Sequence, residues 1–337
     1  MAEGDTNTLI FFSTTVAALS YSYFISSKLP KGICRLISLI PIFCLLTIVP
    51  LLLSSAFTTA VANLFITWLA NFKLLLFAFD QGPLYPPKSF IHFITVASLP
   101  VKLRSDSFKL KKKSPFNLWI EILISPVLIG FVYKNKEKLN HHIVLGIYCA
   151  LVFLLVDILV FVSNAVIWAV VGVKLEPPSD EPYLATSLQD FWGRRWNLMV
   201  TNILRHTVYK PVKSVFPGKD WASLPAIIAT FVVSGLMHEL LFYYVMRVIP
   251  TWEMTSFFVL HGICVVVELL VKRALAGKFE FPAIVSRLLT VGFVVVTSFW
   301  LFFPPLIDGG ADVKVLQEFK LFADYLKSIV DEVMLRW

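Results

Sequence analysis

Long apolar runs, separated by short groups of charged residues, are the dominant pattern along this chain. A helix needs about 20 mostly apolar residues to cross a bilayer. We therefore predict an all-α polytopic membrane protein with about eight transmembrane helices, together with interfacial or re-entrant helices that enclose a chamber. The predicted spans are Leu9 to Ile25, Ile33 to Leu53, Phe57 to Phe79, Leu118 to Tyr133, Ile143 to Val171, Ala222 to Val248, Thr255 to Val271 and Ile284 to Phe303.

The apolar stretch Phe90 to Val101 is too short to span a bilayer, and we predict that it is interfacial or re-entrant. Four basic clusters then fall on the same side, which the positive-inside rule makes cytosolic. Lys134, Lys136 and Lys138 fall on the other side, against this rule. The clusters are Lys28, Lys31 and Arg35; Lys102, Arg104, Lys109, Lys111, Lys112 and Lys113; Arg194, Arg195, Arg205, Lys210, Lys213 and Lys219; and Lys272, Arg273, Lys278 and Arg287.

A single membrane domain accounts for residues 1–337, because the sequence shows no internal repeat and no low-complexity segment. From Val313 onward, charged and apolar residues alternate at helical spacing, so we predict an amphipathic terminal helix. A motif helix over 184–206 and a histidine-bearing helix over 222–248 are predicted to form the core of the site.

The composition supports the membrane assignment, since 57% of residues are hydrophobic and only 15% are charged. The net charge of +8 comes from cations between apolar runs, so it indicates membrane orientation and sites for anionic lipid or phosphate, and no nucleic-acid partner. The sequence contains no phosphate-binding P-loop, no His-Glu-x-x-His and no cysteine cluster. We expect no metal site.

His238 lies within the apolar stretch Ser234-Gly235-Leu236-Met237-His238-Glu239. An ionisable residue inside a membrane span indicates a functional site, because burying it there is costly. The alternative is a structural histidine that is hydrogen-bonded to a neighbouring helix. Glu239 points about 100° away from His238 on a helix and is expected to contact a different helix.

A second polar cluster, over 187–200, favours the functional interpretation. If it forms one helix, Asp190, Arg194, Asn197 and Thr201 share one stripe, and Asp190 can pair with Arg194. The opposite side carries Phe191, Trp192, Leu198 and Met199. The alternative is an amphipathic helix on the membrane surface, which is common for basic segments that contain tryptophan.

Together, His238 and Asn197 suit acyl transfer. A neutral imidazole has an ordinary pKa of about 6.5 and can act as a general base on an alcohol. An Asn amide can donate to the oxyanion or orient the acyl donor. The sequence has no Gly-x-Ser-x-Gly, which disfavours a serine nucleophile, although Ser234 at i−4 from His238 leaves a covalent step open.

Three motifs resemble the plant wax synthase branch of the membrane-bound O-acyltransferase family. They are Asn71-Phe72-Lys73-Leu74-Leu75-Leu76-Phe77-Ala78-Phe79-Asp80, the stretch from Pro182 to Asn197, and Ser234 to Glu239. The resemblance implies a helical chamber in the endoplasmic reticulum membrane, reached by acyl-CoA from the cytosol and by a lipid alcohol through the bilayer. Acyl-CoA is then a co-substrate, and no cofactor is expected.

The resemblance places the family's catalytic histidine at His238 and its Trp-Asn pair at Trp196 and Asn197. We assign His238 and Asn197 as catalytic residues. Arg194, Arg195, Lys210 and Lys213 are predicted to face the cytosol, where the CoA phosphates bind, and arginine forks suit phosphate. For Lys210 and Lys213, ordinary positive-inside anchoring is an equal alternative. The acyl-CoA-binding assignments are Gln189, Trp192, Arg194, Arg195, Trp196 and Ser234.

The acceptor is less determined than the reaction. We predict a long-chain fatty alcohol that yields a wax ester; the alternatives within the family are a sterol and diacylglycerol. Two other classes remain open. One is a transporter with His238, Asp157 and Glu268 along an ion path, which is disfavoured by the lack of repeated halves. The other is a non-catalytic lipid-binding protein.

Overall fold

A computed structural model of the chain describes residues 2–101, 115–172, 179–275 and 281–335. These residues form helices and connecting loops, with no strand among them. The main helices are α1 (Ala2–Phe24), α2 (Ile33–Ile48), α3 (Ala56–Ala78), α4 (Phe90–Ser98), α5 (Pro115–Asn135), α6 (His141–Val171), α7 (188–195), α8 (198–214), α9 (Ser223–Met246), α10 (Glu253–Leu275), α11 (Ala283–Asp308) and α12 (Ala311–Leu335). Short 3-10 turns lie at Ser26–Lys28, Val49–Leu52, Pro182–Leu184 and Asp220–Ala222.

Seven helices within the described residues are long and apolar enough to cross a membrane. They coincide with seven of the eight predicted spans, and the remaining prediction, Leu118 to Tyr133, falls within α5. The fold is therefore the predicted all-α polytopic membrane architecture. The second basic cluster, Lys102 to Lys113, and Lys278 lie outside the described residues.

Basic side chains gather at one end of the helix bundle, here called the basic end. Gly32 N–H donates to the Ala78 carbonyl at 2.7 Å, which brings the start of α2 to the end of α3. At the same end, Arg35 pairs with Asp80 at 2.6 Å. Arg273 at the end of α10 lies 3.4 Å from the Ser223 hydroxyl at the start of α9.

The opposite end is held by carboxylates of the terminal helix α12. Glu318 accepts hydrogen bonds from the backbone N–H groups of Ala56 and Phe57, at 2.6 and 2.9 Å, and so caps the start of α3. Asp312 pairs with Lys136 and accepts from the Tyr148 hydroxyl at 2.8 Å. At least one of the three lysines that stood against the positive-inside rule is therefore neutralised by an ion pair.

The short helix α4 is confirmed as an apolar element of nine residues, too short to span. Its last carbonyls are satisfied by Lys73, a fully buried side chain of α3. The Lys73 ammonium donates to the carbonyls of Val96, Ala97 and Leu99. A cation at a helix C-terminus stabilises both the carbonyls and the helix dipole. Lys73 therefore belongs to the packing of α4, because its donors are used there.

Candidate active site

A cavity of about 510 Å³ lies between α3, α7, α8, α9 and α10. Six of the eight predicted site residues contribute to its lining, although they come from separate parts of the chain. They are Gln189, Trp192, Trp196, Asn197, Ser234 and His238. The other two, Arg194 and Arg195, are not among the lining side chains that the structure describes. On α9 the lining extends from Ile227 to His238, which corresponds to about 16 Å along the helix axis.

The imidazole of His238 is held by its own helix and by two aromatic rings. Its Nδ1 lies 2.7 Å from the Ser234 carbonyl oxygen. Because a carbonyl can only accept, Nδ1 must carry the proton, and Nε2 has a lone pair in the neutral ring. In the described part of the chain, no protein group bonds Nε2. Phe258 packs against the ring at 4.3 Å between centroids, and Trp68 meets it edge to face at 5.1 Å.

Asn197 lies at a break between two helices and caps the second one. Its backbone is left-handed, with φ of 39°, and its carboxamide oxygen accepts from Val200 N–H at 3.3 Å. Asn is one of the few residues other than glycine that adopts this conformation readily, and it is a preferred N-cap. Because Oδ1 is used for the cap, the amide Nδ2 with its two N–H donors remains available to the cavity.

The predicted continuous motif helix over 184–206 is wrong. A 3-10 turn at Pro182–Leu184 is followed by α7, and the chain is then extended at Trp196 before α8 begins at Leu198. The second half of α7 is a π-helical turn, Phe191–Arg195, which closes with a bond from Trp196 N–H to the Phe191 carbonyl at 2.8 Å. Such turns are rare in proteins, and those that occur often lie at functional sites.

The π-helical turn also changes which residues pair. The sequence predicts Asp190 with Arg194, but the structure pairs Asp190 with Arg195, at 2.7 Å between Oδ2 and Nε. A π-helix brings i and i+5 together, whereas the prediction assumed the i+4 spacing of an α-helix. Arg195 also donates to the Asp180 carbonyl at 3.0 Å. Its guanidinium therefore holds the motif segment together, while Arg194 is exposed.

Glu239 connects the histidine helix to α10, as expected from its direction on the helix. The carboxylate is 6% exposed and accepts from Trp252 N–H at 2.9 Å and from Thr255 N–H at 3.1 Å. These are orphan donors at the start of α10. Gly235 lies on the same contact, where an added Cβ would meet the Thr255 Cα at 2.9 Å. The two helices are thus in close contact beside His238, and Phe258 of α10 reaches its ring.

A reciprocal close contact lies further along the same pair of helices. A Cβ at Gly262 of α10 would lie 2.8 Å from the Cβ of Phe231 on α9. Small residues on both helices therefore allow the backbones to approach, as is common in membrane helix packing.

Sequence reasoning missed several residues of this cavity. Trp68 comes from a span near the start of the chain, and no motif connects it with His238. Arg205, Lys210 and Lys213 are exposed side chains that line the cavity, so its open end is basic. Lys210 and Lys213 were among the four cations predicted to face the CoA phosphates, whereas Arg205 was counted only within its basic cluster. Among the described residues, no three His, Cys, Asp or Glu side chains are grouped to hold a metal ion.

The matching family and three known proteins to which this chain is similar are all O-acyltransferases by name. The sequence model of the membrane bound O-acyl transferase family matches residues 175–260, which include both motif segments of the cavity. The chain is 43% identical to Probable long-chain-alcohol O-fatty-acyltransferase 1 of Arabidopsis thaliana, covering 97% of this chain and 98% of the relative. It is 42% identical to Long-chain-alcohol O-fatty-acyltransferase of Simmondsia chinensis, covering 93% of each. It is 41% identical to Acyl-CoA--sterol O-acyltransferase 1 of Arabidopsis thaliana, covering 90% and 91%.

Proposed function

Because the chain belongs to the membrane bound O-acyl transferase family, we propose that it transfers an acyl group from acyl-CoA to the hydroxyl of a lipid alcohol. The observation that carries the proposal furthest is the cavity itself. It combines a histidine whose Nε2 has no described protein partner with an asparagine whose amide donors are available, inside a membrane-length helix bundle. Both groups are what an acyl transfer to an alcohol requires.

The basic side chains at the mouth of the cavity suit the CoA part of the donor. Arg205, Lys210 and Lys213 are exposed there, and no acidic side chain lines the cavity among the described residues. Phosphate groups bind such cations through charge-assisted hydrogen bonds. The α9 part of the lining extends about 16 Å along the helix, from Ile227 to His238, a length that suits an extended pantetheine arm that carries the thioester inward. Gln189, Trp192 and Trp196 then line the path of the arm.

In the proposed step, His238 Nε2 takes the proton of the alcohol while the alcohol oxygen attacks the thioester carbonyl. Asn197 donates an amide N–H to the oxyanion that forms. When the oxyanion collapses, the carbon–sulfur bond breaks, and the imidazolium returns the proton to the CoA sulfur. The products are an ester and free CoA, and the histidine is neutral again. Ser234 supplies the carbonyl that holds the imidazole in the required tautomer.

A long-chain fatty alcohol is the acceptor that we propose first, giving a wax ester. Two relatives that each match more than nine tenths of the chain are named for long-chain alcohols. A sterol is the second candidate, because a relative of similar identity is named for acyl-CoA–sterol transfer.

We further propose that the protein resides in the endoplasmic reticulum membrane. A fluorescent fusion that does not co-localise with markers of that membrane would contradict this location.

Microsomes from a host that expresses the chain test the reaction directly. They are supplied with labelled acyl-CoA and, in separate reactions, with a fatty alcohol, a sterol or diacylglycerol. We expect wax ester with the wild type, and background levels with His238→Ala at equal protein abundance. His141→Ala is the matched control, because His141 is exposed at the start of α6, and it should retain activity. Absence of any ester from the wild type would reject acyl transfer, and steryl ester as the main product would reject the fatty alcohol.

A further inference from the structure

Trp192 forms part of the cavity wall and contacts the rings around the proposed base. Its indole packs against Phe231 at 5.8 Å and against Phe258 at 5.7 Å between centroids. Phe258 in turn packs against His238. The orientation of the Trp192 ring therefore determines both the width of the cavity at this point and the position of the aromatic neighbour of His238.

A second histidine, His261 of α10, holds this indole. His261 is 0% exposed, and its Nδ1 lies 2.9 Å from Trp192 Nε1. Its Nε2 lies 2.9 Å from the Thr297 hydroxyl, which donates to the Phe293 carbonyl at 2.7 Å. An indole N–H can only donate, so Nδ1 accepts and the ring proton must reside on Nε2. Each donor in this series of hydrogen bonds, from the Trp192 indole to the backbone of α11, then has an acceptor.

α10 also forms a hydrogen bond with the start of α7, the helix that carries Trp192. Glu268 accepts a hydrogen bond from Leu188 N–H, the first residue of α7, at 2.7 Å. His261 and Glu268 are seven residues apart and therefore lie on the same face of α10. One face of this helix thus sets both the start of α7 and the direction of its cavity-lining tryptophan.

We propose that His261 is a positioning residue for Trp192, and through Trp192 for the acyl-binding wall beside His238. This inference rests on the proposed acyl transfer. His261 does not touch the reacting atoms, because both of its ring nitrogens bond to protein groups. Its loss leaves the partly buried indole N–H without an acceptor, which drives the ring out of its position. A histidine with a purely structural role would instead affect stability, without any special dependence on Trp192.

A double-mutant cycle in the full-length protein separates these cases. His261→Leu is expected to lower kcat/KM about tenfold, because the indole N–H loses its acceptor and Trp192 leaves its position in the cavity wall. In a Trp192→Phe background, which has no indole N–H, the same replacement should change kcat/KM less than about twofold. Equal losses in both backgrounds would overturn the proposal. His141→Leu serves as the control for replacing an exposed histidine.

Two conservative replacements keep the test usable if leucine impairs folding. In His261→Asn, the carboxamide oxygen takes the place of Nδ1 and can still accept from the indole. In His261→Gln, the carboxamide lies near the position of Nε2 and faces Thr297. We expect Asn to retain more activity than Gln. The reverse order would overturn the proposal.

An activity-independent readout distinguishes this proposal from the function on which it rests. In 15N-tryptophan-labelled protein, the indole N–H resonance that disappears in Trp192→Phe reports on Trp192. It should shift upfield in His261→Gln and stay near its wild-type position in His261→Asn. A resonance that is unchanged in both variants would overturn the proposal. If the wild type makes no ester, the proposed function fails, and this measurement still decides whether His261 holds Trp192.

Discussion

His238 and His261 are the same residue type in adjacent helices, and both are surrounded by aromatic rings, yet their hydrogen bonds differ. His238 uses one nitrogen for its own helix and presents the other to the cavity. His261 uses both nitrogens within the protein. The difference teaches that burial of a histidine does not by itself indicate catalysis. The count of unused lone pairs does, because only an unused one can take a proton from a substrate.

Removing the imidazole of His238 is the strongest test of this comparison. His238→Ala should lower kcat by about 10² to 10⁴ and leave the unfolding temperature close to that of the wild type, because the one hydrogen bond described for the imidazole is to the Ser234 carbonyl of its own helix. Turnover by the purified variant and its thermal unfolding in detergent are the measurements. Near-normal kcat in His238→Ala would remove the distinction between the two residues.

Asn197 sharpens the same argument, because one end of its carboxamide is used and the other is available. Asn197→Asp retains an oxygen for the cap on α8 and tolerates the left-handed backbone, but it has no donor for an oxyanion. We expect its kcat to fall about 10² to 10³-fold. Retention of most activity in Asn197→Asp, together with loss in Asn197→Ala, would show that the cap matters and the donor does not.

Glu239 extends the comparison to the neighbour of His238 in sequence. Its carboxylate accepts from two backbone N–H groups and from the Thr255 hydroxyl at the start of α10, so its role should be structural. Glu239→Ala is expected to lower the free energy of unfolding by about 1 to 3 kcal/mol, because buried N–H groups lose their acceptor. Denaturation monitored by tryptophan fluorescence measures this. An unchanged stability combined with a large loss of kcat would assign Glu239 to the chemistry instead.

The smallest expected effect concerns the basic mouth of the cavity. Replacing Lys210 and Lys213 together by Gln should raise the KM for acyl-CoA about 3- to 10-fold and leave kcat nearly unchanged, since exposed charges each contribute about 1 kcal/mol or less. The difference from the wild type should shrink at high salt. Lys327→Gln, an exposed cation on the terminal helix, is the control. The same KM in the double variant and the control would leave these lysines as determinants of topology.

The membrane architecture was predictable because the required signal is local. Seven predicted spans coincide with membrane-length helices, and the short Phe90 to Val101 piece was recognised by its length alone. His238 could be singled out because burying an ionisable group in an apolar run is costly, so that such groups are rare within membrane spans.

The geometry of the motif segment was not predictable in the same way. An α-helical register was assumed over 187–200, and the π-helical turn with the break at Asn197 shifts every later residue. The Asn followed by apolar residues is a helix-start signal that was available but not used. Trp68 and the role of His261 depend on contacts between distant parts of the chain, for which a single sequence carries no local pattern.

The reciprocal contacts of Gly235 and Gly262 have a consequence for altering the substrate range by design. Because a methyl group at either position would collide with the facing helix, the wall formed by α9 and α10 has little capacity to accept new shapes. Val200 and Leu204 of α8 line another side of the cavity. Engineering toward bulkier or shorter acceptors should therefore vary these two positions and leave the glycines untouched.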